Sequence, residues 1–267
     1  MSSKRAILVI SFGTSQKETR DKCIGGIENA IAGEFPEWEV RRAFTSRMII
    51  KRIFKETGTK IDYIDEALQR LVDDGFDTVV VQPTHFIKGI EYEDVVRICS
   101  EFSGKFSKLK VAEPLISDED SYGRIVDILE RDIIPDIRTV AKDNCGVVLM
   151  GHGSDHINNA CYSEMAMRIM LSGLKDVFLV TVEGFPSFDD LPKLMDGFNG
   201  KIVAMIPFMV VAGVHAQEDM AGDEPDSLKN RLASAGYEPL PIMKGLAEYA
   251  SIRRMFADKC AEAVRSV

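Results

Sequence analysis

The sequence predicts an α/β protein made of two similar domains, each a mainly parallel sheet flanked by helices. Short runs rich in Val, Ile and Leu alternate with longer segments of helical spacing, a pattern typical of parallel sheets with crossover helices. The same pattern starts again halfway along the chain. The 267 residues are enough for two such domains, each with a core of its own.

The first half alternates apolar runs with helical segments. The apolar runs predict strands at residues 6–10, 38–44, 76–81 and 109–112. The helical segments predict helices at residues 18–31, 49–56, 64–73, 89–99 and 124–134. Pro83 and Pro135 should end a strand and a helix, because proline lacks the N–H that would continue either one. The polar stretch 136–144 is the predicted linker, which places the domains at residues 1–140 and 141–267.

The second half repeats this arrangement. Apolar runs predict strands at residues 145–150, 176–182 and 201–206, and helical spacing predicts helices at residues 158–171, 191–198, 227–235 and 249–264. Pro83 and Pro207 end corresponding apolar runs 124 positions apart, and Gly89 and Gly213 have the same separation. Internal similarity of this kind indicates two related halves. We expect the active-site cleft between them.

Composition narrows the class of partner. The net charge is −9 and the isoelectric point is near 5.1, which argues against nucleic acid as a general partner. The five cysteines are scattered, odd in number and without a Cys-x-x-Cys motif, which favours free thiols in a reducing compartment. No apolar run approaches the length needed to cross a bilayer. We therefore expect a cytoplasmic protein with neither nucleic acid nor a membrane as partner.

A histidine between two glycines follows one apolar run. Val147-Val148-Leu149-Met150 predicts a buried strand, and Gly151-His152-Gly153 comes directly after it. The two glycines let the chain turn sharply, so His152 should stand at the carboxyl end of the strand. Ligands bind at such strand ends in open α/β sheets. A hydrogen-bonded structural role explains a single histidine of this kind equally well.

Two further polar residues follow later predicted strands. Glu183 lies 31 residues after His152, and His215 lies 32 residues after Glu183, so one βα unit separates each pair. Neighbouring parallel strands would bring two imidazoles and one carboxylate together as a divalent-metal site with open positions. Co²⁺, Fe²⁺, Ni²⁺ and Zn²⁺ all suit these ligands. Taken singly, Glu183 is as well explained as a helix cap, and His215 as a surface histidine.

The ordered set of motifs resembles the anaerobic sirohydrochlorin cobaltochelatase family, part of the class II tetrapyrrole chelatases, over nearly the whole chain. The resemblance is carried by Ser11-Phe12-Gly13-Thr14-Ser15, Arg42-Ala43-Phe44-Thr45-Ser46, residues 89–93, Met150-Gly151-His152-Gly153, Glu183 near Pro186, Val211-Ala212-Gly213-Val214-His215-Ala216 and Asp219-Met220-Ala221. It implies a tetrapyrrole in the cleft between two α/β domains.

The resemblance also implies the chemistry of the site. His152, Glu183 and His215 would bind the incoming metal, and His152 and Glu183 would act in catalysis, with His152 accepting a proton. The expected activity is ATP-independent insertion of Co²⁺ into sirohydrochlorin for anaerobic cobalamin biosynthesis, with no organic cofactor. Insertion of Fe²⁺ or Ni²⁺ in a sirohaem or related pathway is the alternative. A zinc hydrolase and a non-catalytic metal or tetrapyrrole carrier are the rival functions, and a homo-oligomer is left open.

Several residues of the first half are predicted to bind the tetrapyrrole. Arg47, Lys88 and the N–H groups of the loop after Phe12 would hold carboxylates of sirohydrochlorin, and His85 follows another strand. Solvated side chains explain Arg47 and Lys88 equally well, and local hydrogen bonding explains His85. The predicted substrate-binding set is Phe12, Gly13, Thr14, Ser15, Arg47, His85 and Lys88.

Overall fold

The computed structural model describes residues 4–141 and 144–267. The chain forms two compact units, of which the first comprises Met1–Ser117 together with Ile252–Val267, and the second comprises Asp118–Ser251. These units differ from the predicted division into residues 1–140 and 141–267, because each unit takes up a segment that the sequence assigned to the other half.

A four-stranded parallel sheet forms the centre of the first unit, in the order β2-β1-β3-β4. Its strands are β1 (Arg5–Ser11), β2 (Glu39–Phe44), β3 (Thr78–Pro83) and β4 (Lys108–Val111). The first five helices are α1 (Lys17–Thr19), α2 (Gly25–Glu34), α3 (Arg47–Thr57), α4 (Ile64–Asp73) and α5 (Ile90–Glu101). On one face of the sheet, Leu8 and Val81 pack with Leu68 and Val95 in a fully buried cluster. Both central strands are buried, which explains their nearly continuous apolar sequence.

The second unit has the same sheet, in the order β6-β5-β7-β8. Its strands are β5 (Gly146–Gly153), β6 (Val177–Glu183), β7 (Ile202–Pro207) and β8 (Glu238–Pro241). Its helices are α6 (Glu119–Ile128), α7 (Ile134–Ala141), α8 (Ala160–Leu171), α9 (Leu191–Leu194) and α10 (Leu228–Ser234). Ile10 pairs with Pro83 in the first sheet, and Met150 pairs with Pro207 in the second. The predicted α/β class and the repeat are therefore confirmed down to the strand register.

The predicted linker at residues 136–144 is wrong where the structure describes it. The helix continues through Pro135 as α7 to Ala141, while residues 142 and 143 lie outside the described residues. A wide π-helical turn over Leu129–Ile133 comes just before Pro135. Such a turn changes the local hydrogen-bonding pattern, so a proline after it need not end the helix. Similar turns occupy Arg20–Ile24 and Ala216–Met220.

The last helix, α11 (Ala250–Arg265), belongs from Ile252 onwards to the first unit. Arg253 lies over Gly26, where a Cβ would be 2.8 Å from the arginine Cδ, and Arg254 Nη1 lies 2.7 Å from Glu34 Oε2. The residues in these contacts are far apart in the sequence, so the local sequence pattern did not predict the contacts. Across both described ranges, the structure contains no helix with the length and apolar character of a membrane span.

Candidate metal centre

The end of β5 holds His152 through two glycine-dependent contacts. A Cβ at Gly151 would lie 2.6 Å from the ring of Tyr162, so glycine lets this aromatic side chain pack directly under the strand. The Tyr162 hydroxyl interacts with the backbone N–H groups of Gly153 and His152, and burial raises the pKa of Tyr162 to about 12. The phenol therefore stays protonated at neutral pH and can stabilise the backbone at the histidine.

Glu183 is the last residue of β6 and pairs in register with Gly153. Gly153 has φ +83°, and a Cβ there would lie 1.7 Å from the Glu183 carbonyl oxygen. Only glycine fits this approach, both for its backbone conformation and for the space. The pairing places Glu183 beside His152, as the sequence predicted for neighbouring strand ends.

His215 does not stand at a strand end, contrary to the prediction. Strand β7 stops at Pro207, and the chain returns to the site through a loop before His215 begins a helical turn. The backbone N–H groups of Leu246 and Ala247 donate to the carbonyls of Met209 and Val210, which fixes this loop. The sequence did not predict this loop, because the residues that hold it, Leu246 and Ala247, lie more than 30 residues further along the chain.

The two histidine rings face each other edge to face. Their centroids are 4.4 Å apart with an interplanar angle of 86°, and the two Nε2 atoms are 3.1 Å apart. His152 Nδ1 lies 2.9 Å from the carbonyl oxygen of Gly153, and His215 Nδ1 lies 2.8 Å from Asp219 Oδ2. Because a carbonyl or carboxylate oxygen can only accept a hydrogen bond, these two contacts assign a hydrogen to each Nδ1. In that tautomer the lone pair of each ring is on Nε2.

Two Nε2 atoms this close together can bind the same cation. Nitrogen ligands of one tetrahedral ion, each at about 2.0–2.1 Å, are about 3.3 Å apart. The observed separation of 3.1 Å is close to this value. Both rings are about two-fifths exposed, so an ion can reach the pair from solvent.

Glu183 is near this pair but does not complete it. Its Oε2 atom lies 4.0 Å from His152 Nδ1, on the ring edge away from His215. Within residues 4–141 and 144–267, no three His, Cys, Asp or Glu side chains are arranged to hold a metal ion. The Glu183 side chain is 59% exposed, so it has room to rotate. The structure therefore brings the two imidazoles together and leaves the carboxylate beside them.

Comparison with known proteins identifies the family. A model of the cobalt chelatase (CbiK) family matches residues 5–265. The chain belongs to this family. It is 37% identical to a sirohydrochlorin cobaltochelatase of Salmonella typhimurium, over 95% of this chain and 94% of the relative. It is 30% identical to the sirohydrochlorin cobaltochelatase CbiKC of Nitratidesulfovibrio vulgaris, over 99% of this chain and 92% of that one.

A solved structure supports the fold independently of close sequence similarity. SirB from Bacillus subtilis with Fe³⁺ superposes with a TM-score of 0.66 at 16% identity, over 98% of this chain and 97% of that chain. At this identity the likeness concerns the fold. Both halves of this cobalt chelatase family member therefore have the architecture expected from the sequence.

The first half lacks the histidine pair. Ile10 and Met150 occupy the same place in the two sheets, so Phe12 corresponds to His152. Phe12 is 48% exposed, whereas Phe44 at the end of β2 is fully buried. The position matching His215 in the repeat is Glu91. Since neither equivalent is an imidazole, the paired-histidine site belongs to the second half of this family member.

The loop after Phe12 is held by hydrogen bonds to its own backbone. Gly13 turns the chain at φ +100°, and the Thr14 hydroxyl accepts a hydrogen bond from the Gln16 backbone N–H. Arg20 is buried and donates to the carbonyls of Thr14 and Ser15 at 3.1 and 3.4 Å. The carbonyls of this loop are thus turned towards Arg20, a residue that the sequence analysis missed.

The two cations predicted to bind carboxylates already have acidic neighbours. Arg47 lies 3.7 Å above the ring of Tyr63 and 3.9 Å from Asp65, and its side chain is 60% exposed. Lys88 Nζ lies 2.6 Å from Glu113 Oε2, and both side chains of this pair are a little less than half exposed. Exposed pairs of this kind are weak, so a carboxylated ligand can compete for either cation.

His85 has a different environment from the other predicted substrate-binding residues. Both of its ring nitrogens are buried, and neither has a hydrogen-bond partner in the described part of the chain. Burial lowers the pKa of His85 to about 4, so the ring is neutral at pH 7. It therefore cannot attract a carboxylate as a cation, although it still offers one donor and one acceptor.

Proposed function

We propose that this protein inserts Co²⁺ into sirohydrochlorin without ATP, the activity expected for anaerobic cobalamin biosynthesis. The observation that supports this most directly is the 3.1 Å approach of the His152 and His215 Nε2 atoms, with both Nδ1 hydrogens committed to oxygen acceptors. The family match and the names of two curated relatives support cobalt and sirohydrochlorin as the substrates.

The arrangement suits transfer of a metal better than its storage. Two imidazoles and one movable carboxylate leave positions open on the ion, unlike a closed four-cysteine site. The tetrapyrrole nitrogens can enter those positions while the protein ligands leave one at a time. The Glu183 carboxylate would bind the ion after a rotation of its side chain, and its negative charge would offset part of the charge of the dication.

Proton balance assigns a second role to the same residues. Insertion of one dication replaces two pyrrole N–H hydrogens, so two protons must leave as the metal enters. Once the metal has left His152, the Nε2 lone pair is free to accept one of them, and an imidazole suits this task near pH 7. Glu183, whose Oε2 atom lies 4.0 Å from the Nδ1 of the same ring, would carry the second proton towards solvent.

The direct test measures turnover. Sirohydrochlorin and Co²⁺ are incubated with the protein without oxygen, and the visible spectrum follows metal insertion. We expect many turnovers per protein molecule, with His152→Ala abolishing the rate. His156→Ala is the matched control, because it removes a nearby loop histidine that is not one of the proposed metal ligands. The His156 ring instead accepts a hydrogen bond from the Asn158 backbone N–H. No acceleration over metal and pigment alone would refute the proposal.

The same assay separates the alternatives. A carrier would bind one equivalent of metal or pigment and stop, whereas a chelatase continues with excess substrate. Parallel reactions with Fe²⁺ and Ni²⁺ test the choice of metal, and we expect Co²⁺ to give the highest kcat/KM. A zinc hydrolase would instead require retained Zn²⁺ and would leave sirohydrochlorin unchanged.

We also propose a cytoplasmic location, which the free state of all five cysteines supports. Divalent metal and sirohydrochlorin are the proposed partners. Assembly into a homo-oligomer stays a prediction, to be measured by sedimentation or light scattering.

A further inference from the structure

We propose that Asp219 is a positioning residue that makes His215 the stronger of the two imidazole ligands, so that His152 releases the metal first. This inference rests on the proposed metal transfer and adds an order to it. It follows from a difference between the groups that accept the two Nδ1 hydrogens.

The two acceptors differ in charge. His215 Nδ1–H donates to a carboxylate oxygen of Asp219 at 2.8 Å, whereas His152 Nδ1–H donates to the neutral carbonyl of Gly153 at 2.9 Å. A charged acceptor makes a stronger hydrogen bond and increases the electron density at the far nitrogen of the ring. Glu183 does not give His152 the same support, because 4.0 Å is beyond hydrogen-bond distance.

The fold holds Asp219 firmly in this place. Asp219 belongs to the π-helical turn Ala216–Met220, which begins immediately after His215. Ala216 and Met220 are both fully buried in the core of the second unit, so the turn is fixed at each end. Asp219 itself stays about one-third exposed and faces the histidine. His215 is thus oriented by a side chain on its own turn, while His152 is oriented by its own strand.

The fixed tautomer explains why this difference matters. Neutral imidazole interchanges between two forms, and a form with hydrogen on Nε2 cannot bind a metal through that atom. Asp219 keeps the His215 hydrogen on Nδ1 and so keeps Nε2 available before any metal arrives. Loss of such a partner typically lowers metal affinity by about 10- to 100-fold.

The first experiment uses metal-free full-length protein and the metal alone. Nitrogen NMR reports the tautomer of His215, and calorimetry with Co²⁺ reports affinity. Asp219→Ala should give a mixture of tautomers and weaken Co²⁺ binding by about 10-fold or more. Asp219→Asn should keep the Nδ1–H tautomer, because the amide oxygen still accepts, and should recover part of the affinity.

Glu218→Ala is the matched control, because it removes the same charge from the adjacent, exposed position. It should leave both the tautomer and the affinity as in the wild type. Asp219→Ala with an unchanged His215 tautomer would overturn the inference, and so would an equal loss of affinity in Glu218→Ala.

A double-mutant cycle tests whether Asp219 acts through His215. In a His215→Ala background, Asp219→Ala should change Co²⁺ affinity no further, and His215→Ala should weaken binding more than His152→Ala. The same loss from Asp219→Ala in both backgrounds would overturn the inference. Wild-type protein that binds Co²⁺ but fails to metallate sirohydrochlorin would instead refute the proposed function, so the two failures are distinguishable.

Discussion

Gly153 is the position where the addition of one methyl group should most damage the metal centre. Its φ is +83°, and an added Cβ would lie 1.7 Å from the carbonyl oxygen and 2.4 Å from the carbonyl carbon of Glu183. Ordinary contact with a Cβ begins at 3.4 Å, so the end of β6 would have to move by about 1.7 Å. This shift would separate the strand ends that carry His152 and Glu183.

Gly173→Ala is a close control for Gly153→Ala. Gly173 belongs to the same unit and has φ +84°, but a Cβ there would meet nothing within 4 Å. We expect Gly173→Ala to lower the free energy of unfolding by about 1–2 kcal/mol, the conformational cost of a side chain at positive φ. Gly153→Ala has this cost and also loses the last hydrogen bonds between β5 and β6, so we expect it to lower the free energy of unfolding by about 3–5 kcal/mol in total.

Urea denaturation followed by circular dichroism measures the difference in stability, and calorimetry with Co²⁺ measures the site. We expect Gly173→Ala to bind Co²⁺ as the wild type does, while Gly153→Ala binds it at least tenfold more weakly. Equal stability and equal affinity in the two variants would refute the role of Gly153 in bringing the strand ends together.

Three further predictions concern residues around the candidate site. The unfolded chain protonates His85 near pH 6.5 but the folded protein only near pH 4, so stability falls as pH drops between these values. At pH 4 this loss amounts to about 3 kcal/mol of the free energy of unfolding, and His85→Phe should not show it. Urea titrations of the wild type and the variant at several pH values measure the difference. Arg47→Met should raise KM for sirohydrochlorin several-fold at unchanged kcat, and Asp65→Asn should lower it; steady-state kinetics showing no change in either would exclude carboxylate binding there. Tyr162→Phe keeps the buried ring but loses the hydroxyl at the His152 backbone. Calorimetry should therefore show weaker Co²⁺ binding, and urea denaturation should show a free energy of unfolding that is lower by about 1 kcal/mol.

The parts of the fold that the sequence predicted depend on local signals. Continuous apolar runs mark buried parallel strands, and the equal spacing of Pro83 and Pro207 reflects their equivalent places beside β1 and β5. The glycines around His152 indicated a close backbone approach, which the pairing of Gly153 with Glu183 explains. These features are encoded within a few residues of where they act.

The features that the sequence did not reveal depend on distant contacts. The helix continues through Pro135 because a wide π-helical turn comes before it, and no local sequence motif predicted that turn. Arg253 packs on Gly26, which is far away in the sequence. His215 reaches His152 from a loop that is held by Leu246 and Ala247, and not from a strand end. Asp219 was visible as part of a motif, but its hydrogen bond to His215 required the geometry of the turn.

The most direct test of the account is the position of one Co²⁺ ion bound to the full-length protein. Anomalous diffraction at the cobalt edge, from a crystal soaked with Co²⁺, should show a single strong peak bound by Nε2 of His152 and Nε2 of His215. The Glu183 carboxylate should have rotated to join it. A peak elsewhere, or one bound by neither imidazole, would contradict the proposal that these side chains pass the metal on.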